Sequence, residues 1–206
     1  MITIKKLVVF GGTFNPPHIG HLLLAENAVC ELGADKIIFM TAGNPPHKDC
    51  DEVIDKKHRY EMVKLLTSGN KAFIASDFEI NRESKSYTAD TLAELHKLYR
   101  DTEIYFIVGL DSFFNIEKWY EPELIFERCK IAVSLRGGFD SDGFDDKVRY
   151  YKKNYNAEIV KIRMPEIEVS SSDIRKRISE GKPVENMLTK EVLKYIEKNG
   201  LYKEKR

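Results

Sequence analysis

Two histidines three residues apart, His18 and His21, stand in the stretch Gly11-Gly12-Thr13-Phe14-Asn15-Pro16-Pro17-His18-Ile19-Gly20-His21-Leu22. An imidazole can donate to a phosphate oxygen, carry a proton or ligate a metal. At a helix start this spacing puts both rings on one side, and Gly20 between them leaves room for something bulky. A second chemical concentration is Ser170-Ser171-Ser172-Asp173-Ile174-Arg175-Lys176-Arg177, hydroxyls followed by three cations. Both patterns suit phosphate. The structural alternatives are a glycine turn with incidental histidines, and a surface cation cluster paired with Glu166, Glu168 and Asp173. Zinc carries little weight, because no third or fourth Cys or His lies at zinc-like spacing.

The elements that must position these groups follow from the apolar pattern. Leu7-Val8-Val9-Phe10 is a buried strand signal. Leu22, Ala25, Ala28, Val29 and Leu32 then recur at helical spacing up to Gly33, and Pro17 sits where a helix could begin. The histidine stretch is therefore strand, glycine turn, helix N-terminus, a ready anion site. Along the chain, strands are expected near residues 7–10, 36–40, 73–75, 103–108, 130–134 and 158–162. Helices are expected near 19–32, 57–67, 89–100, 123–127 and 144–154. This alternation predicts an α/β fold with a parallel sheet and helices on both faces. In such a sheet, ligands sit beyond the carboxyl ends of the strands, at the topological switch point.

The second phosphate-suited stretch begins a further helix. Ile174 and Ile178 point inward, and Gly181 with Pro183 closes it. Arg175, Lys176 and Arg177 would load its first turn with cations, a conflict with the helix dipole that a bound polyphosphate would relieve. Thr189 then caps a last helix over 190–198, with Asn199-Gly200 as its stop.

Composition narrows the partners. The 206 residues suit one domain, or a domain with a small C-terminal piece. Lys+Arg and Asp+Glu are equal at 33 each, which argues against a nucleic-acid partner gripped by bulk charge. Three scattered cysteines, Cys30, Cys50 and Cys129, fit reduced thiols in a cytoplasmic protein. The first apolar run is too short for a signal peptide, and no stretch is long enough to span a membrane.

Residues just after the strands are the next candidates. Thr41 to Lys48 forms a Pro/Gly loop before the acidic Asp49 to Glu52. Arg59, in the first turn of the next helix, opposes the dipole. It is expected either to pair with that acidic loop or to be held for an anion. Thr88 is a plausible N-cap with Asp90 in its first turn. Gly109 permits close approach, and Asp111 could accept from ribose hydroxyls or cap a short helix. Trp119, the only tryptophan, has charged neighbours and a following proline, so it is expected on a partly exposed loop as a flat wall for a planar ring.

His18-Ile19-Gly20-His21 after Gly-Gly-Thr-Phe resembles the HxGH signature of the nucleotidyltransferase superfamily. The chain as a whole is similar to the bacterial nicotinate-nucleotide adenylyltransferases. Pro45-Pro46-His47-Lys48, Ser86-Tyr87-Thr88, Trp119-Tyr120 and Val169 to Arg175 match further segments of that family. Two departures stand out. Gly137 follows Arg136 where relatives have proline, and Ser172 replaces a threonine but keeps its hydroxyl.

The resemblance implies a single nucleotidyltransferase domain over 1–206, Rossmann-like and doubly wound, with 171–206 as a C-terminal helical subdomain. It implies adenylyl transfer from ATP to nicotinate mononucleotide, giving nicotinate adenine dinucleotide and pyrophosphate. His18, His21 and Arg175 would be catalytic. Gly11, Gly12, Thr13, Phe14, Gly109, Asp111, Ser171, Ser172 and Ile174 would join them around ATP. Lys48, Thr88, Trp119, Tyr120 and Arg136 would hold the mononucleotide. Mg2+ would arrive with ATP, with no dedicated protein metal site. Relatives are often dimers or larger, so self-association is left open. The alternatives are nicotinamide mononucleotide or another phosphate acceptor, as in the phosphopantetheine enzyme, and a non-catalytic nucleotide sensor. An aminoacyl-tRNA synthetase relative is disfavoured by length and by the lack of a Lys-Met-Ser-Lys-Ser segment.

Overall fold

The computed structural model describes residues 4–43, 53–82, 86–136, 143–164 and 167–203. Six strands form one parallel sheet in the order β3-β2-β1-β4-β5-β6. They are β1 (Lys6–Gly12), β2 (Lys36–Thr41), β3 (Phe73–Ser76), β4 (Glu103–Gly109), β5 (Lys130–Arg136) and β6 (Ile159–Met164). The helices between and after them are α1 (Ile19–Leu32), α2 (Lys56–Thr67), α3 (Thr88–Leu98), α4 (Leu110–Phe113), α5 (Pro122–Arg128), α6 (Phe144–Tyr155), α7 (Ser171–Ser179) and α8 (Lys190–Lys198). A 3-10 turn covers Ile116–Lys118. It and α4 are too short to leave a periodicity in the sequence.

Strand side chains alternate between two cores, as period-2 geometry requires. Val8, Phe10, Ile37, Phe39, Tyr105 and Ile107 face α1, α2, α7 and α8, through Leu24, Met62, Ile174 and Val192. Leu7, Val9, Ile38, Met40, Ile104, Phe106 and Val108 face the other way, onto Leu92 of α3, Ile125 of α5 and Tyr151 of α6. Two apolar faces on every central strand explain why these segments are nearly continuous apolar runs.

Chain order reverses between β1 and β4, which are hydrogen-bonded neighbours. The carboxyl ends Gly11-Gly12 and Gly109 therefore lie at the switch point where ligands bind in such sheets. No helix among the described residues is long and apolar enough to cross a membrane.

Candidate active site

His18 is the N-cap of α1, with extended backbone, so Pro17 lies one residue outside the helix rather than opening it. The His18 N–H donates to His21 Nδ1 at 3.1 Å, and the two rings stack at 3.7 Å. An Nδ1 that accepts a main-chain N–H carries no proton itself. The neutral His21 ring therefore bears its proton on Nε2. Phe14, edge-on at 5.1 Å, and Phe10, at 5.8 Å, hold the His21 ring from the core side.

The second stretch meets the first directly. Ser171 Oγ donates to Pro16 O at 2.8 Å, and Arg175 Nη1 donates to Asn15 O at 3.0 Å. A Cβ on Gly20 would come within 2.8 Å of Val169 Cγ1 and 3.1 Å of the His18 ring. The room that Gly20 leaves is thus taken by the segment leading into α7, not kept for a ligand. The Ile19 N–H, one of the first-turn donors expected to face an anion, goes instead to Met187 O at 3.1 Å.

The cation argument for α7 changes as well. The helix begins at Ser171, with Ser170 as N-cap accepting from Asp173 N. Asp173 is therefore the first-turn charge, and Lys176 and Arg177 occupy the last turn, where the dipole favours them. Arg177 pairs with Asp173 at 2.9 Å. Arg175 alone of the three turns back toward the histidine loop, as the N-terminal tilt of helical side chains allows.

Beside this junction lies a pocket of about 510 Å3 at the ends of β1, β2 and β4. Gly11, Gly12 and Thr13 form one wall. Thr88, Trp119 and Tyr120 form another, together with Ser86, Tyr87 and Lys118. Tyr87, not Thr88, is the N-cap of α3 and makes no side-chain cap bond, so its hydroxyl-bearing neighbour becomes the first helical residue. Trp119 follows the 3-10 turn and stands edge-on to Phe106. The Tyr87 and Tyr120 rings pack at a tilt, with centroids 4.6 Å apart.

Other expected residues are placed differently. The Phe14 and Ile174 side chains are core, so only their main chains can face a nucleotide. Gly109 and Asp111 are exposed at the end of β4, outside the pocket lining. Lys48 and the loop residues 44–52 lie outside the described residues, and so does the side chain of Arg136. Arg59 is 1% exposed, and its guanidinium donates to main-chain carbonyls; the acidic residues 49–52 it was weighed against lie outside the described residues.

A model of cytidylyltransferase-like proteins matches residues 9–177. A probable nicotinate-nucleotide adenylyltransferase of Lachnoclostridium phytofermentans is 42% identical over 97% of this chain and 100% of its own. One from a Thermoanaerobacter species is 41% identical over 96% and 94%. The chain belongs to the nicotinate-nucleotide adenylyltransferase family. Among solved structures, the nicotinic acid mononucleotide adenylyltransferase of Plasmodium falciparum complexed with NaAD superposes with a TM-score of 0.79. It is 20% identical, with 96% of this chain and 97% of that one covered. At that identity the likeness carries the fold.

Within this adenylyltransferase, Glu79 and Thr91 are among the pocket residues that escaped the sequence. Glu79 lines the pocket at 9% exposure, and its Oε1 accepts from Thr91 Oγ1 at 2.8 Å. Burial pushes its carboxyl above the usual carboxylate range, against the opposing pull of that hydrogen bond and of Arg82. In sequence it is one charge among many between Asp77 and Ser86, with no periodicity to mark it as buried. Thr91 was hidden as an unremarkable polar position of α3.

Proposed function

We propose that this chain holds ATP across the junction of the α1 and α7 starts and nicotinate mononucleotide in the adjoining pocket, and transfers the adenylyl group between them. A phosphate oxygen of the mononucleotide attacks the α-phosphorus of ATP in line. The bond from that phosphorus to the α–β bridging oxygen breaks, pyrophosphate leaves with that oxygen, and nicotinate adenine dinucleotide forms. The observation that carries this reading is the convergence of two helix starts, far apart in sequence, on one loop whose Thr13 also lines a pocket walled by aromatic rings.

No protein nucleophile is required, so the chain contributes position and charge complementarity. His18 and His21 donate to the α- and β-phosphate oxygens, with the Nε2 proton of His21 directed by its Nδ1 bond. Ser171, Ser172 and Arg175 hold the β- and γ-phosphates and the departing pyrophosphate. Gly11, Gly12 and Thr13 lie between the two substrates, and Gly109 with Asp111 takes the adenosine side. Magnesium enters as part of the substrate, MgATP, and neutralises charge on the phosphates.

Trp119 stacks on the pyridine ring, and the first N–H groups of α3, which the Tyr87 side chain leaves uncapped, meet the ring carboxylate with the main chain of Tyr120. A carboxylate gains more than an amide at a helix start, and Lys118 in the same lining adds positive charge. Both favour nicotinate over nicotinamide.

The test is pyrophosphate release from ATP alone, with nicotinate mononucleotide and with its amide. Release is expected only with an acceptor, and faster with nicotinate. His21→Ala is expected to lower kcat about 10²- to 10³-fold with the thermal midpoint little changed. Binding of ATP without pyrophosphate release would make the chain a sensor. Wild-type turnover in the His21→Ala variant would remove the histidines from the chemistry.

A further inference from the structure

Arg59 is the largest fully buried side chain among the described residues. Its guanidinium spreads over three carbonyls from three segments. Nε donates to Ile54 O at 3.2 Å, Nη1 to Thr13 O at 2.8 Å and Nη2 to Gly43 O at 3.0 Å. Burial lowers its pKa, yet a guanidinium stays charged, so the cation is held in the interior by these carbonyls.

The partners are informative. Thr13 belongs to the turn that leads to His18 and His21, and it lines the pocket. Gly43 follows Ala42, another lining residue, at the exit of β2. The Ala42 N–H donates to Gly12 O at 2.9 Å, so the two exits are joined above the guanidinium as well. On its other side Gly43 is packed so closely that a Cβ would lie 2.2 Å from the main-chain oxygen of Glu79, again a lining residue. One rigid, planar fork therefore sets the spacing between the ATP-side turn and the neighbouring exit of β2, which leans on Glu79 in the pocket lining.

We infer that Arg59 is a positioning residue for the transfer, fixing the separation at which the α-phosphorus and the acceptor phosphate meet while touching neither. This rests on the adenylyl-transfer reading above. A lysine keeps the charge and most of the stem but cannot bridge three carbonyls in one plane. A misplacement of about 1 Å between reacting groups is enough to cost roughly 10²-fold in rate.

The experiment compares Arg59→Lys and Arg59→Met with wild type. It measures kcat, separate dissociation constants for ATP and for nicotinate mononucleotide, and the folded fraction by circular dichroism at the assay temperature. Arg59→Lys is expected to lose about 10- to 100-fold in kcat per folded molecule, with each separate dissociation constant within about threefold of wild type. Wild-type kcat in Arg59→Lys would overturn the inference, as would a loss that merely follows the unfolded fraction. Should both variants fail to fold, the wild type itself decides by NMR of the Arg59 guanidinium. With a non-hydrolysable ATP analogue and the mononucleotide bound together, its N–H signals are expected to stay slow to exchange. Fast exchange there would mean that no clamp exists in the reacting complex. Absence of pyrophosphate release by wild type would instead defeat the functional reading, which separates the two failures.

Discussion

Glu79 places a carboxyl in the wall of the pocket proposed to bind an anionic ring, and its protonation is tied to folding. Its folded pKa is raised above the ordinary 4.5 by burial. The folded state therefore binds the proton more readily than the unfolded chain, and stability falls as pH rises from the ordinary carboxylate value through the raised one. Below that window both states are protonated and the group contributes no slope. Glu79→Gln keeps an acceptor for Thr91 and removes the charge. Its melting temperature relative to wild type is expected to improve as pH rises above the ordinary carboxylate value, followed by differential scanning calorimetry. A flat difference across that range would mean that Glu79 is ionised at little cost. At this scale too, the stacked His18 and His21 rings show how two side chains act as a unit. One ring's position sets the main-chain donor that selects the other's tautomer.

At the scale of elements, the contact between α1 and the approach to α7 decides whether the two phosphate-binding starts share a site. Gly20 lies at this contact, and a methyl there would collide with Val169. Glycine-to-alanine inside a helix ordinarily stabilises by about 1 kcal/mol. Gly20→Ala is expected to forfeit that gain and to lower kcat/KM for ATP by at least about tenfold, because the helix starts are pushed apart. Removing the obstacle in the double variant Gly20→Ala/Val169→Ala should recover much of the loss. Steady-state kinetics of the two variants side by side checks this, and an unaffected single variant would mean that α7 does not need to sit so close.

At the scale of the molecule, the C-terminal segment returns to the active-site loop. Tyr202 donates its hydroxyl to Asn15 Oδ1 at 2.9 Å, and burial pushes that hydroxyl's pKa far up, so it remains a donor. Asn15 in turn offers its main-chain oxygen to Arg175. The α8 helix docks on α2, where Tyr195 Oη lies 2.9 Å from His58 Nδ1. Tyr202→Phe is expected to lower stability by about 1 kcal/mol, a melting shift of roughly 2–4 °C. Cutting the chain after Leu201 should also raise KM for ATP while the far-ultraviolet circular dichroism of the sheet persists. Unchanged KM in the truncated enzyme would show that Asn15 needs no help from the tail.

Much of this architecture was legible in the sequence because its signals are local. The ends of α1 and α8 coincide with those expected, since a left-handed Gly33 stops one and Thr189 caps the other. The strands were found within a residue or two from short apolar runs, and the histidine spacing alone placed both rings on one side of a helix. Where the expectation failed, a remote partner won. Arg175 to Arg177 were placed in a first turn and lie beyond it. Gly20 was kept open for a ligand and admits Val169.

The sequence by itself determined the order of elements, the two-faced sheet and the residue types able to handle phosphate, because helix and strand patterns depend on neighbours a few positions away. Only the tertiary structure decided which of those residues meet. Ser171 and Pro16 lie 155 positions apart, Arg175 and Asn15 160, and Tyr202 and Asn15 187. Contacts over such separations depend on how whole helices pack across the sheet, and no local pattern of residues encodes them.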